Sequence, residues 1–131
     1  LVWHPAKYAE LLSEKIAQHG AQVWLINTGW SGGAHGVGSR IKLRFTRAMV
    51  AAVHNGSLVS APTEKEPYFG LDVITQCPDV PDEILMPKAT WQNPSDYEST
   101  AKKLTQLFRD NFKTYESQVR QAVREAGPPA A

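Results

Sequence analysis

The residue types best suited to chemistry lie in a glycine-rich stretch, residues 28–39, and in the basic segment that follows it. The stretch reads TGWSGGAHGVGS and contains five glycines in twelve residues. Because glycine reaches conformations and close approaches that side chains forbid, we predict a loop there. The question is which ligand such a loop would serve.

Two nucleotide motifs can be compared with this loop, and neither is complete. Gly33 and Gly38 have the spacing of GxxxxGKS/T, whose backbone cradles phosphates. Ser39 and Arg40 follow Gly38, so the lysine that would reach the outer phosphates is missing. The GxGxxG fingerprint of dinucleotide sites does not occur, and no acidic residue lies about twenty positions downstream. The motifs alone therefore predict no kinase-type or dinucleotide site.

Positive charge is concentrated next to the loop. From Lys15 to Thr63 there is no Asp or Glu, while the same span supplies five cations: Lys15, Arg40, Lys42, Arg44 and Arg47. This asymmetry favours an anionic ligand near residues 40–47. A segregated surface charge without a ligand explains the pattern equally well.

The other reactive residue types suggest no catalytic or metal site. The histidines are scattered without metal-ligand spacing, at His4, His19, His35 and His54. Cys77 is the single cysteine, cannot form an intrachain disulfide, and is interpreted as a structural residue. Trp30 and His35 could shape a site in the loop, but a packing indole and an exposed imidazole are the favoured interpretation. We predict no catalytic residue and no metal ligand in this chain.

The totals are those of one globular domain. The chain has 131 residues, of which 42% are hydrophobic and 21% charged. A net charge of +1 argues against a protein built mainly to bind nucleic acid. No run approaches a membrane span and no secretion signal is evident, so we expect no membrane partner and a cytoplasmic location.

The elements around the loop follow from hydrophobic periodicity. Residues 5–19 predict a helix, with Gly20 as its C-terminal cap. Residues 22–27 (QVWLIN) predict a strand buried on both faces, leading into the loop. Residues 40–45 alternate charged and apolar side chains and predict a second extended segment. Thr46 is then placed to cap a helix over residues 47–55, which Gly56 would stop.

The second half of the chain predicts loops around short strands, then a long helix. Five prolines between Ser57 and Gln92 exclude a long helix there, and residues 69–73 alternate as a strand would. Asn93 and Pro94 start the long helix, whose apolar stripe comprises Tyr97, Ala101, Leu104, Phe108, Phe112 and Tyr115. Residues 127–131 (GPPAA) predict a flexible tail.

The string NTGWSGGAHGVGSRIKLRFTRAMVAAVHNGSL, with HPAKYAELLSEKI before it and YFGLDV and CPDVPDEIL after it, resembles the last quarter of ATP-dependent phosphoenolpyruvate carboxykinase. The resemblance covers nearly the whole chain. It implies an α/β fold in which residues 1–126 are the C-terminal part of a mononucleotide-binding domain, with short strands around the glycine-rich loop and helices beside them.

The resemblance also implies an activity and a site. Enzymes of this family convert oxaloacetate and ATP to phosphoenolpyruvate, ADP and carbon dioxide in gluconeogenesis, with Mg²⁺ on the nucleotide and usually Mn²⁺ at a second site. It implies that Arg40, Ile41 and Thr46 contact ATP. A guanidinium can stack on adenine, Ile41 can cover apolar ring surface, and Thr46 can offer a hydroxyl. From the residues alone, the favoured interpretation is that Arg40 is a solvated strand residue, Ile41 a core residue and Thr46 a helix cap.

Two features limit what the chain would do by itself. Ser39 stands where family members usually carry Lys, which reduces the positive charge of the loop. The phosphate loop, the metal ligands and the arginines that hold oxaloacetate lie upstream in the family, and the chain begins at Leu1 without an initiator methionine, as a fragment would. We therefore expect part of an enzyme that needs the remainder of its chain. The alternative is a free-standing basic nucleotide-binding or adapter module without activity.

Overall fold

A computed structural model describes residues 2–129 and contains both helices and strands, as the α/β prediction requires. Within that range the elements are α1 (Pro5–His19), β1 (Trp30–Ser31), β2 (Ser39–Arg40), α2 (Leu43–His54), β3 (Thr63–Lys65), β4 (Asp72–Ile74), α3 (Asp82–Leu85), α4 (Pro87–Thr90), α5 (Pro94–Phe112), a 3₁₀ turn (Glu116–Gln118) and α6 (Gln121–Glu125). The strands form two antiparallel pairs, β1 with β2 and β3 with β4.

The first helix has the predicted boundaries. The His4 side chain accepts a hydrogen bond from the Ala6 amide, and Gly20 ends the helix in the left-handed conformation, with its amide bonded to the Ile16 carbonyl. Both ends are therefore fixed by local chemistry. None of the helix residues is buried.

The strand predicted at residues 22–27 is wrong, because the structure has no regular secondary structure there. Trp24 packs against the hydrophobic core, while Val23 and Leu25 are 60% and 83% exposed. A strand needs a ladder partner for its backbone groups, and this segment has none within residues 2–129.

The extended segment predicted at residues 40–45 is also wrong beyond Arg40. Strand β2 ends there, and α2 begins at Leu43. The spacing of Phe45, Met49 and Ala52, which all lie in or against the core, is helical, and it prevails over the short alternation. Thr46 therefore lies inside the helix and does not cap it: the N-cap residue is Lys42, without a side-chain cap bond. The predicted stop at Gly56 holds, since α2 ends at His54 and Gly56 has a φ of 78°.

The proline-rich region forms loops around short strands, as predicted. The strand predicted at residues 69–73 is shifted to Asp72–Ile74, where it pairs with Thr63–Lys65. Upstream of it, the Glu66 carboxylate accepts hydrogen bonds from the Tyr68 and Phe69 amides and so closes a turn. This local bond keeps Phe69 out of the ladder.

The long helix starts where the sequence predicts. The Asn93 side chain accepts from the Ser95 amide at 3.0 Å, and Pro94 occupies the first turn. In this chain Leu104 and Phe108 are exposed while Ala101 and Thr105 are buried, so the packing of the whole stripe stays a prediction for the complete enzyme. The inward line therefore runs at i, i+4 through Ala101 and Thr105, and Leu104 and Phe108 flank it.

The core lies between α2 and the region that follows it. Its buried members are Phe45, Ala52, Leu58, Cys77 and Val80. Ile41, at the entrance to α2, packs against this cluster. The start of α2 is thereby fixed in position relative to the rest of the fold.

The described part of the predicted tail lies beside α5. Arg109 donates hydrogen bonds to the carbonyl oxygens of Pro128 and Pro129. Ala130 and Ala131 fall outside the described residues. Among the described helices, none combines the length and the apolar character that crossing a bilayer requires.

Candidate functional site

A cavity among the described residues lies between the glycine hairpin (residues 29–41), the first turn of α2, and the segment 81–92. Its volume is about 520 Å³, within the range of roughly 300–1,000 Å³ usual for small-molecule sites. The hairpin side is lined by Ser31, Gly32, Val37, Gly38, Ser39, Arg40 and Ile41.

The glycine hairpin has a defined shape. Trp30 pairs with Arg40 and Ser31 with Ser39, and the Ile41 amide donates to the Gly29 carbonyl at 3.0 Å. A Cβ on Gly38 would lie 2.5 Å from the carbonyl oxygens of Gly33 and Ser31. Only glycine therefore allows the loop to close on itself at this position.

The structure brings two of the three predicted ATP contacts to this cavity. Arg40 is exposed and lines the cavity from the end of β2. Ile41 is half-buried, lines the cavity, and also packs against the core. Ile41 can therefore line the cavity and pack in the core at the same time.

Thr46 lies outside the cavity lining. It is half-buried in the second turn of α2. Residues four apart lie on the same side of a helix, which places Thr46 one turn beyond Lys42, a residue that does line the cavity. Thr46 is therefore adjacent to the cavity rather than part of its wall.

The electrostatics of the cavity favour an anion. Its lining includes three cations, Arg40, Lys42 and Arg44, and one carboxylate, Glu83, for a formal net charge of +2. The Arg44 guanidinium lies over the Phe45 ring, 4.6 Å from its centroid, which holds that charge at the start of α2. The partial positive charge of the helix N-terminus has the same sign.

The opposite wall comes from residues that sequence reasoning missed: Pro81, Glu83, Ile84, Thr90 and Gln92. Ser31 Oγ donates to Thr90 Oγ1 at 3.1 Å, although 59 positions separate the two residues. No periodicity or motif in the sequence could pair them, because the contact depends on how the intervening α2 and β3–β4 fold back.

Helix α4 within this wall is tied to the long helix. Lys88 Nζ and Glu98 Oε1 lie 2.6 Å apart. This hydrogen bond raises the pKa of Lys88 and lowers the pKa of Glu98, so both stay charged. Trp91 also contacts Tyr97 edge-to-face, at 5.7 Å between ring centroids.

Other candidate residues have local packing roles. His35 contacts Trp30 edge-to-face at a centroid distance of 5.0 Å, so both rings brace the loop against itself. Among residues 2–129, no three His, Cys, Asp or Glu side chains are grouped as a metal ion would require.

Comparison with known proteins adds the family. Residues 1–83 match the family model described as phosphoenolpyruvate carboxykinase, which spans the glycine hairpin and all three predicted contacts. The chain belongs to the ATP-dependent phosphoenolpyruvate carboxykinase family. The resemblance stated from the sequence is thereby confirmed.

Relatives in this carboxykinase family come from distant organisms. The chain is 55% identical to phosphoenolpyruvate carboxykinase (ATP) 2 of Salinibacter ruber and 51% identical to phosphoenolpyruvate carboxykinase (ATP) of Dictyostelium discoideum, each over 98% of its length. It is 45% identical to the Thermus thermophilus protein of the same name, again over 98% of the chain. The chain spans about a quarter of each relative's length, 24%, 23% and 24% respectively.

Proposed function

We propose that this chain is the C-terminal part of an ATP-dependent phosphoenolpyruvate carboxykinase, and that its cavity forms the nucleoside side of the ATP site. The complete enzyme converts oxaloacetate and ATP to phosphoenolpyruvate, ADP and carbon dioxide. The observation that carries the proposal is the cavity of net charge +2 in which Arg40 and Ile41 share a wall.

Each predicted contact has a physical task at this site. The Arg40 guanidinium stacks on the adenine face, as planar cations do on π systems. Ile41 covers apolar surface of the base and is held in place by the core behind it. Thr46, beside Lys42, offers its hydroxyl to the nucleotide at the edge of the cavity. The surrounding charge attracts the phosphates.

The metal chemistry belongs to the remainder of the enzyme under this proposal. Phosphoryl transfer needs a phosphate cradle and a divalent cation that neutralises charge on the transferred group. Mg²⁺ accompanies ATP and Mn²⁺ occupies a second site, with ligands supplied by the upstream part of the chain. Residues 1–126 complete the nucleotide-binding domain, and residues 127–131 are the tail that follows it.

The surface of the chain supports this reading over a free-standing module. A compact monomer of 14.5 kDa exposes about 6,900 Å², whereas this chain exposes 9724 Å². The surplus of about 2,800 Å² exceeds what one partner buries in a standard interface, about 800 Å². Large apolar side chains contribute to it, including Leu25, Leu107 and Phe108.

Replacing Arg40 by Ala in the complete enzyme tests the proposal. A cation–π contact is worth about 0.5 to 2 kcal/mol, and 1.4 kcal/mol is about tenfold in affinity, so ATP affinity should fall roughly two- to thirtyfold. Because the contact is with the non-reacting end of ATP, KM for ATP should rise while kcat changes less. Arg40→Lys should restore little, since Lys keeps the charge without the plane.

Arg47→Ala is the matched control, because Arg47 is an exposed cation of α2 that does not line the cavity. Its KM for ATP should stay within about twofold of the unmodified enzyme, a change worth roughly 0.4 kcal/mol. A large loss of kcat at unchanged KM in Arg40→Ala would mean that Arg40 acts in the chemical step. Equal KM values for Arg40→Ala, Arg47→Ala and the unmodified enzyme would show that Arg40 is a solvated surface residue that does not contact ATP.

A further inference from the structure

We infer that Ser31 and Thr90 are positioning residues for nucleotide binding: their hydrogen bond fixes the glycine hairpin on α4 and thereby holds Arg40 at the cavity. The inference deepens the proposed function and rests on it. Neither residue is among the predicted ATP contacts, which are Arg40, Ile41 and Thr46.

The contact between hairpin and helix is close as well as polar. Ser31 Oγ and Thr90 Oγ1 lie 3.1 Å apart in a partly buried setting. At Gly32, the next residue, a Cβ would lie 2.9 Å from the Thr90 carbonyl oxygen, and φ is 81°. The hairpin backbone can approach α4 this closely only because residue 32 is glycine.

The anchor is itself held from three sides. Thr90 Oγ1 donates to the Pro87 carbonyl at 2.7 Å, which fixes the hydroxyl within α4. Lys88 attaches the same helix to α5 through Glu98, and Trp91, the residue after the helix, contacts Tyr97 of α5. Helix α4 therefore connects the long helix to the hairpin. If the Ser31–Thr90 hydrogen bond is lost, α4 stays attached to α5 and the hairpin is the part that can shift.

The hairpin transmits the position of Ser31 to Arg40 over one pair of residues. Ser31 faces Ser39 across the strands, and Trp30 faces Arg40. A two-stranded hairpin is marginally stable by itself, so its placement depends on contacts at its edges. The core holds the Ile41 end, and the Ser31–Thr90 bond holds the opposite strand.

A double-mutant cycle in the complete enzyme tests this coupling. Ser31→Ala should weaken ATP binding about two- to tenfold, the range for one net hydrogen bond, measured as Kd by titration calorimetry and as KM. Thr90→Val should weaken it at least as much, because it also removes the bond to the Pro87 carbonyl. The double variant should bind no more weakly than Thr90→Val, because Ser31→Ala removes only the Ser31–Thr90 bond, which Thr90→Val has already removed. Thr90→Ser keeps the hydroxyl and should bind like the unmodified enzyme. kcat should change less than about twofold throughout.

Several outcomes would overturn the inference. If the effects of the two single changes multiply in the double variant, the two side chains act independently, and the shared hydrogen bond is not what positions the hairpin. Unchanged Kd in Ser31→Ala and Thr90→Val, with Arg40→Ala weakened, would refute the positioning role and leave the ATP site standing. If Arg40→Ala also leaves Kd unchanged, both proposals fail. If Thr90→Val does not fold, Ser31→Ala decides alone, since it leaves the Thr90–Pro87 bond intact; an unchanged Kd then refutes the role.

Discussion

At the scale of single residues, Cys77 provides a test of burial. The thiol lies in the core cluster, and burial, followed by the nearby Asp79 carboxylate, raises its pKa above the ordinary value of 9.0. The thiolate is the nucleophile, so Cys77 in the folded complete enzyme should react with iodoacetamide on the order of tenfold more slowly than in urea at pH 8. Peptide mass spectrometry gives the rate at this residue.

The pH dependence has a definite sign. Since the folded-state pKa is raised, the neutral thiol contributes stability below pH 9.0, and this contribution is lost as the pH rises through the folded pKa. Alkylation of the folded enzyme should therefore keep accelerating as the pH rises past 9.0, whereas the rate in urea should level off there because the unfolded thiol is already ionised. Equal rates in buffer and urea at pH 8 would show that the thiol is accessible and ordinary.

A side chain's place can be predicted from the sequence where it depends on neighbours in the chain. Arg40 and Ile41 were predicted beside the glycine loop, and both lie at the cavity. Glu83 and Thr90 were not predicted, because they reach the cavity only through the tertiary fold. Thr46 was predicted as a contact and as a helix cap; the first remains a prediction, and the second is wrong.

At the scale of elements, the shape of the glycine hairpin should be sensitive to Gly38. A Cβ there would meet two backbone carbonyls at 2.5 Å, and backbone atoms cannot rotate away as a side chain can. Overpacking typically costs about 1–3 kcal/mol, so Gly38→Ala should lower the free energy of unfolding of the complete enzyme by that amount and weaken ATP binding. Urea unfolding and ATP titration provide the two measurements.

Gly29→Ala is the control for this prediction. Gly29 lies at the base of the same hairpin, but its added Cβ would be 3.4 Å from Asn27 Oδ1, an ordinary contact. Its effect should stay within about 0.5 kcal/mol. If Gly38→Ala lowered the free energy of unfolding no more than Gly29→Ala, the loop would have space for a Cβ at residue 38, contrary to the structure.

The helices that were predicted correctly contain capping residues at the predicted ends. Gly20 stops α1, and Asn93 with Pro94 starts α5, because caps act within a few residues. The strand at residues 22–27 failed for the opposite reason: its sequence fits a buried strand, but strand formation depends on partners elsewhere. Without a strand partner, the apolar side chains of Val23 and Leu25 stay exposed.

At the scale of the whole molecule, exposed apolar surface separates the two functional hypotheses. Leu11 and Leu12 on α1, and Leu104, Leu107 and Phe108 on α5, are all exposed. Monomeric soluble proteins rarely expose large contiguous apolar patches. A part of a larger enzyme would bury these faces against the rest of its chain.

The isolated chain should therefore lack carboxykinase activity and show incompletely covered apolar surface. Under the proposed function, the phosphate cradle and metal ligands lie in the remainder of the enzyme, so charge developing in the transition state would meet neither. With oxaloacetate, ATP, Mg²⁺ and Mn²⁺, the purified chain should give no turnover above a blank from a mock purification. Its fluorescence enhancement of an apolar dye such as ANS should exceed that of the complete enzyme per mole. Turnover would overturn the assignment of the catalytic parts to the missing chain, and weak dye binding with a sharp cooperative unfolding transition would favour the free-standing module, because only a self-sufficient core gives both.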